Sequence, residues 1–191
     1  MKDKIEFKLP EAKERNLFLA DQVEQETIGK LTQQIIEINE YDNYMDGLYK
    51  LNQINYVRQP IKIYIDSYGG YIYQCFGLLS IMEASKTPIH TIVTGCAMSC
   101  GFMILIYGHK RFGYPLSTPL YHQISSGFWG KVKDAEEKLI ETKRLQEKLE
   151  EIVLKKTKIG RRKLDQIYAR KIDWYMDVEE AKRLGVIDEI L

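Results

Sequence analysis

Three residues whose side chains can together transfer an acyl group lie in separate segments of the chain: Ser99, His122 and Asp173. A serine hydroxyl attacks a carbonyl carbon only when a neighbouring base takes up its proton. A histidine can be that base, and a carboxylate then selects the imidazole tautomer and stabilises the imidazolium that forms. The order Ser, His, Asp differs from the order in α/β-hydrolases, so the sequence disfavours that fold.

Ser99 lies in a run of small residues, 95–101, with the sequence Gly-Cys-Ala-Met-Ser-Cys-Gly. Apolar runs flank it and predict a short buried strand over 89–93 and a buried helix over 102–107. A serine at a sharp strand-to-helix turn has the geometry of a nucleophile elbow, although the Gly-x-Ser-x-Gly spacing is absent. Serine is also common at helix starts for structural reasons. From this segment alone, Ser99 can be either a nucleophile or a small residue that only fills the junction.

A second strand-to-helix junction contains two glycines, Gly69 and Gly70. The alternating isoleucines of 61–65 predict the strand, and apolar positions over 72–82 predict the helix. Backbone N–H groups at the start of a helix can bind an anion or an oxyanion. A Gly-Gly pair is also found in ordinary turns. The spacing is not that of a dinucleotide-binding loop. His122, in a predicted strand over 120–124, is by itself as easily a core histidine as a catalytic one.

The elements that must position these residues alternate between strands and helices, which predicts an α/β domain. We find no repeat or linker and expect a single domain over 1–191. Apolar spacing predicts a helix over 27–38, and segment 39–58 either extends it or forms a looped insertion. The longest helix is predicted over residues 130–157. Its length would be about 40 Å, at ~1.5 Å of rise per residue. Part of that helix should project and contact another subunit.

Composition excludes several classes of protein. The 191 residues are 45% apolar and 29% charged with a net charge of +1, so bulk charge indicates neither a nucleic-acid nor a membrane partner. Segment 1–10 lacks the apolar stretch of a signal peptide, and no run approaches the roughly 18 apolar residues of a membrane span. We expect a cytoplasmic protein with free thiols at Cys75, Cys96 and Cys100. These cysteines lack further nearby ligands, so we expect no metal and no cofactor.

Four segments, read together, resemble motifs of the proteolytic subunits of Clp proteases, the ClpP family, and the similarity runs from about residue 16 to 191. Residues 65–70, Ile-Asp-Ser-Tyr-Gly-Gly, resemble the family's Ile-Asn-Ser-Pro-Gly-Gly. Residues 95–101 resemble Gly-Gln-Ala-Ala-Ser-Met-Gly, and Tyr-His-Gln at 121–123 resembles Ile-His-Gln. Segment 173–188 is similar to the region that begins at the family's catalytic aspartate.

The resemblance implies a serine endopeptidase with the triad Ser99, His122 and Asp173 and an oxyanion hole from the backbone N–H groups of Gly70 and Cys100. It implies a ClpP/crotonase-like α/β fold of repeated β-β-α units with a long projecting handle helix, about 130–157. It also implies self-assembly into heptameric rings, two of which stack through the long helix, and a partner AAA+ Clp ATPase that unfolds polypeptide substrates. No cofactor, nucleic acid or membrane is implied.

The sequence departs from the family pattern at several positions. Tyr68 replaces a proline, and Ile124 replaces the proline that follows His-Gln. Lys171 and Ile172 stand where the family has an acidic residue and an arginine that pair between rings. Segment 39–59 is longer than usual. The ring-ring contact of this chain therefore cannot use the family's charged pair.

Three other functions are compatible with parts of this pattern. A crotonase-type acyl-CoA enzyme shares the superfold and the paired N–H groups but needs no triad. A non-catalytic ring subunit needs neither. A phage-type capsid maturation protease is a variant of the peptidase hypothesis. The complete set Ser99, His122 and Asp173 favours the peptidase.

Overall fold

The computed structural model describes residues 11–127 and 129–191. Segment 1–10, predicted to lack a signal peptide, lies outside the described residues. The described part forms seven strands and six helices: β1 Asn16–Leu19, α1 Gln25–Leu51, β2 Ile61–Ser67, α2 Ile72–Ala84, β3 Ile89–Met98, α3 Cys100–Tyr107, β4 Lys110–Gly113, β5 Thr118–Tyr121, α4 Val132–Lys156, α5 Arg161–Arg170, β6 Trp174–Tyr175, α6 Val178–Arg183 and β7 Glu189–Ile190. None of these helices is both long and apolar enough to cross a membrane. The predicted α/β class is confirmed.

The sheet is mainly parallel, and β3 is its central strand. Strands β1, β2, β3, β4 and β7 are neighbours in that order, all parallel. The first half of β3, His90 to Val93, pairs with β4, whereas its second half, Cys96 to Met98, pairs with β5. Strand β5 then pairs antiparallel with β6. The end of β3 therefore lies next to the end of β5 and the start of β6.

Helix α3 fills the core behind this junction. Its residues from Cys100 to Ile106 are all buried, which fits their continuous apolar sequence. The isoleucines of β2 at alternate positions, Ile61, Ile63 and Ile65, are buried on the face of the sheet. Burial of large apolar side chains contributes about 1.5–3 kcal/mol each, so this cluster is a main source of stability.

Helix α1 settles the alternative left open for segment 39–58: the helix continues to Leu51 and a loop follows. The extension is held by Asp42, which is fully buried. Its carboxylate accepts hydrogen bonds from Arg15 at 2.5 Å, Tyr56 at 2.7 Å and Thr87 at 2.6 Å. These contacts join α1 to the chain before β1, to the loop after the helix and to the start of β3. A buried charge needs such partners, because an unpaired one is costly.

Other boundaries differ from the sequence-based prediction. The strand predicted over 120–124 ends at Tyr121. The apolar pair at 186–187 predicts the start of the last strand, but both residues lie in a turn, and both of their N–H groups donate to the carbonyl of Ala181. The last strand is instead Glu189–Ile190. The long helix predicted over 130–157 is confirmed with slightly tighter bounds.

Helix α4 has two different halves. Towards its C-terminus, Leu145, Leu149 and Val153 are buried against the domain. Towards its N-terminus, Val132, Leu139 and Ile140 are exposed, and 54% of Leu139 is accessible. The chain therefore covers the apolar side chains of only the C-terminal half of α4. The exposed half matches the expectation that part of the helix meets another subunit, an assembly that stays a prediction.

We expect Asp42→Ala to lower the free energy of unfolding by about 3 kcal/mol, because it leaves the guanidinium of Arg15 half-buried without its partner. Asp46→Ala, on the same helix, breaks only an exposed pair with Lys50 and should cost under about 1 kcal/mol. Urea unfolding of both variants measures this. If Asp42→Ala and Asp46→Ala lower the free energy of unfolding equally, the role given to Asp42 is wrong.

The pH dependence of the same comparison is a second check. Burial raises the pKa of Asp42, but the hydrogen bonds from its three partners outweigh burial and hold this pKa below its ordinary value. A depressed native pKa gives stability that is present above the unfolded pKa, about 3.9, and is lost as the pH falls through the native pKa. The stability difference between the parent and Asp42→Ala should therefore shrink below about pH 4.

Candidate active site

The strand register brings the three predicted triad residues to one edge of the sheet. Met98, the last residue of β3, pairs with Leu120 of β5. In the antiparallel pair β5–β6, Tyr121 faces Trp174, so the next residues, His122 and Asp173, lie opposite each other. Ser99 directly follows Met98, and its N–H donates to the carbonyl of Leu120 at 3.1 Å. Ser99 and His122 thus directly follow β3 and β5, and Asp173 directly precedes β6, which pairs with β5.

Ser99 has a strained backbone. Its φ of 53° and ψ of −117° are rarely adopted by a residue other than glycine. The side chain does not cap α3, although Ser99 is in the N-cap position. A junction serine would normally use its hydroxyl as that cap. Strain of about 1–3 kcal/mol is typical of functional turns. These two observations favour a nucleophile over a plain junction residue.

The Gly69-Gly70 loop presses against the turn at Ser99. Gly69 has a φ of 99°, and a Cβ added there would lie 2.7 Å from the Cβ of Ser99. The loop is fixed from the other side by Val23, whose N–H donates to Gly69 at 2.8 Å and whose carbonyl accepts from Tyr71 at 2.7 Å. Neither Gly70 nor Cys100 donates its N–H to a backbone carbonyl in the turns of the described part. Gly70 and Cys100, the residues predicted to supply the oxyanion donors, line the same cavity as Ser99.

Two cysteines connect these segments. The thiol of Cys100 donates to the carbonyl of Gly70 at 3.2 Å. The thiol of Cys75, from α2, donates to the carbonyl of Cys100 at 3.7 Å. Both are free and buried, as is Cys96, which confirms the prediction for the three thiols. No sequence pattern indicated that Cys75 contacts the segment after Ser99. Within 11–127 and 129–191, no cluster of three or more potential ligands is arranged to hold a metal ion.

His122 and Asp173 form a loose pair. The distance from Nδ1 of His122 to Oδ1 of Asp173 is 3.8 Å, which is too long for a hydrogen bond. The side chain of Asp173 is 64% exposed, whereas that of His122 is 25% exposed. Catalytic hydrogen bonds are often long in unliganded enzymes and shorten in the complex. A movement of under 1 Å would make the contact.

A cavity of about 610 Å³ opens at Ser99 and His122. Its walls are mostly apolar and come from α2, α3, α4 and the chain after β5: Ile72, Met103, Tyr121, Ile124, Leu145 and Leu149. Charged side chains lie at one part of the wall, where Tyr73 donates to Glu141 at 2.6 Å. Hydrogen bonds from Arg144 and then Tyr73 lower the pKa of Glu141 to about 2, so this carboxylate stays charged. The cavity is in the size range of ligand-binding sites, and its mostly apolar lining fits an apolar group.

We expect Gly69→Ala to reduce any activity that depends on Ser99 by at least about tenfold, because the new methyl group displaces the turn that holds Ser99. Gly77→Ala in the middle of α2 is the control. Nothing lies within 4 Å of a Cβ at Gly77, and alanine is the better helix former, so this variant should keep activity and gain up to about 1 kcal/mol. Peptide hydrolysis and thermal unfolding of both variants test the contact. Full activity of Gly69→Ala would contradict it.

The sequence is similar to those of Clp proteases. The sequence profile of the Clp protease family matches residues 9–191. The ATP-dependent Clp protease proteolytic subunit of Deinococcus radiodurans is 36% identical over 135 residues, which are 70% of this chain and 65% of that protein. The match thus spans just under two thirds of the length of that relative. The α/β architecture is consistent with the fold of these proteins, and the chain belongs to the Clp protease family.

Proposed function

We propose that this chain is the serine endopeptidase subunit of a Clp-type protease, with Ser99 as nucleophile, His122 as general base and Asp173 as its orienting carboxylate. The observation that carries the proposal is the strained turn at Ser99, which opens, together with His122, into one apolar cavity. Membership of the Clp protease family supports it. A crotonase-type function, which needs no nucleophile, gives no reason for the strain at Ser99.

The geometry suggests the following mechanism. Nδ1 of His122 faces Asp173, which leaves Nε2 to take the proton from the hydroxyl of Ser99. The alkoxide attacks the peptide carbonyl, and the oxyanion that forms accepts hydrogen bonds from the N–H groups of Gly70 and Cys100. His122 returns the proton to the leaving amine. Water, activated by the same histidine, then hydrolyses the acyl-enzyme and frees Ser99.

The substrates we propose are unfolded polypeptides. The apolar cavity next to Ser99 and His122 favours cleavage beside an apolar side chain, since burying such a side chain contributes about 1.5–3 kcal/mol of binding. An unfolded chain exposes such side chains, whereas a folded protein buries most of them.

We further propose heptameric rings, stacked in pairs through α4 and served by an AAA+ Clp ATPase in the cytoplasm. The exposed apolar side chains at the start of α4 support a contact between copies, because such patches mark interaction surfaces. A closed chamber would admit short peptides and exclude folded proteins.

Ser99→Ala tests the chemistry. The variant should keep the native mass of the parent, because alanine fills the same small space, while peptide hydrolysis falls by at least about 10³-fold. A fluorophosphonate probe should label the parent and not the variant, since only an activated serine reacts. A parent protein that is assembled but neither labelled nor active would contradict the peptidase and favour a non-catalytic ring subunit.

Leu139→Asp tests the assembly. A carboxylate at this exposed position costs little in one chain but several kcal/mol when buried in a contact between rings. Native mass measurement should therefore show single rings or smaller species. Leu116→Asp is the control, because Leu116 is 94% exposed and lies outside α4. If both variants keep the parent's mass, the start of α4 does not form the contact.

A further inference from the structure

The chain that follows His122 is tied to α4 by one hydrogen bond. The N–H of Ile124 donates to Oε1 of Gln146 at 2.8 Å. Other hydrogen bonds of the described residues between β5 and α4 are the capping contacts of Lys131 at the first turn of α4. Gln146 is only 6% exposed, so water does not compete well for the contact. The position of the backbone two residues after His122 thus depends on a side chain of α4.

The orientation of the Gln146 amide is determined by its neighbours. Nε2 donates to Oε1 of Glu150 at 2.8 Å, and the other carboxylate oxygen of Glu150 is paired with Arg161. An ionised carboxylate accepts hydrogen bonds and donates none, so only the NH₂ group of Gln146 can face Glu150. The amide oxygen is then left for Ile124. An amide fits between a carboxylate and an N–H group, whereas a hydrocarbon side chain satisfies neither.

The backbone N–H of Ile124 is the donor that satisfies the amide oxygen of Gln146. The sequence resembles a family pattern in which proline follows His-Gln, and proline has no N–H group to donate. A proline at 124 would leave the oxygen of Gln146 buried without this donor. Ile124 and Gln146 are therefore complementary features of this chain.

Tyr121, on the other side of His122, is also near this network. Its phenol oxygen is buried and has no hydrogen-bond partner in the described part of the chain. Burial, and then the charge of Glu150, raise the pKa of Tyr121 to about 12, while the amide of Gln146 and the charge of Arg161 act in the opposite direction. The α4 pair Gln146 and Glu150 thus lies close to residues on both sides of His122, and it is hydrogen-bonded to the one at Ile124.

We propose that Gln146 is a positioning residue for His122 and acts through the backbone N–H of Ile124. The inference rests on the proposed peptidase function. The gap of 3.8 Å between His122 and Asp173 makes the position of this segment decisive, since less than 1 Å separates a loose pair from a hydrogen bond. Gln146 does not line the cavity at Ser99, so its loss should affect turnover more than substrate binding.

Gln146→Leu is the direct test, because leucine has a similar volume and removes both amide contacts. We expect kcat for a short peptide to fall about ten- to a hundredfold, the effect of misplacing a catalytic group by about 1 Å, with KM within about threefold of the parent. Glu147→Leu introduces the same side chain at the next, exposed position and should leave both constants unchanged. Native mass and thermal unfolding verify that the variants assemble.

Ile124→Pro removes the same hydrogen bond from the other side and leaves α4 intact. If the bond carries the effect, the double variant Ile124→Pro/Gln146→Leu should be no slower than the slower single variant, because both changes remove one interaction. Losses in kcat that multiply would overturn the proposal, as would a Gln146→Leu variant with the parent's kcat. If Gln146→Leu fails to assemble, kcat of Ile124→Pro alone decides: the parent's value overturns the proposal, and a fall in kcat of tenfold or more supports it, while KM is left out of the comparison because Ile124 lines the cavity.

Fluorophosphonate labelling separates this proposal from the proposed function. A parent protein without labelling or hydrolysis contradicts the peptidase itself. A parent that is active and is matched by Gln146→Leu contradicts only the role of Gln146.

Discussion

The pairing of one long strand with two different partners determines where the site lies. The first half of β3 pairs with β4, and its second half pairs with β5. The strand ends at the strained turn of Ser99. The register then passes from β5 to β6, which sets His122 opposite Asp173. The buried helix α3 follows Ser99 directly, so the apolar burial of α3 offsets the strain of the turn. A change in the path of β3 would move all three residues.

Buried polar networks fix the two ends of this arrangement. Asp42 joins α1 to the segments before β1 and β3, far along the chain from Ser99. Gln146 and Glu150 join α4 to α5 and to the segment after His122. Such groups must be fully satisfied to be tolerated, and they then permit only one arrangement of the elements that they join. Apolar side chains at these positions would pack as well but would specify position less sharply.

Periodic sequence patterns predicted the elements, and side-chain hydrogen bonds account for the boundaries that the patterns missed. Alternating isoleucines marked β2, and apolar spacing marked α1 and α4. The end of α1 could not be predicted because Asp42 occupies a buried position that the pattern reserves for an apolar side chain. The strand predicted to reach Ile124 ends earlier because the N–H of that residue bonds to Gln146 instead of a strand. Ser99, His122 and Asp173 were candidates because of their residue types. No sequence pattern predicts the strained backbone of Ser99 or the two-residue strand β6.

The division of α4 into two halves connects the proposed assembly to the proposed chemistry. The exposed start of the helix offers Leu139 and Ile140 to a partner, and the buried end holds Gln146, whose amide fixes the segment after His122. Both halves belong to one continuous helix, Val132–Lys156. The charged pair between rings that the family resemblance implies would lie at Lys171 and Ile172, close in sequence to Asp173, and is replaced in this chain. In the proposed assembly, the contact at the start of α4 and the hydrogen bond that holds the segment after His122 would then belong to the same helix.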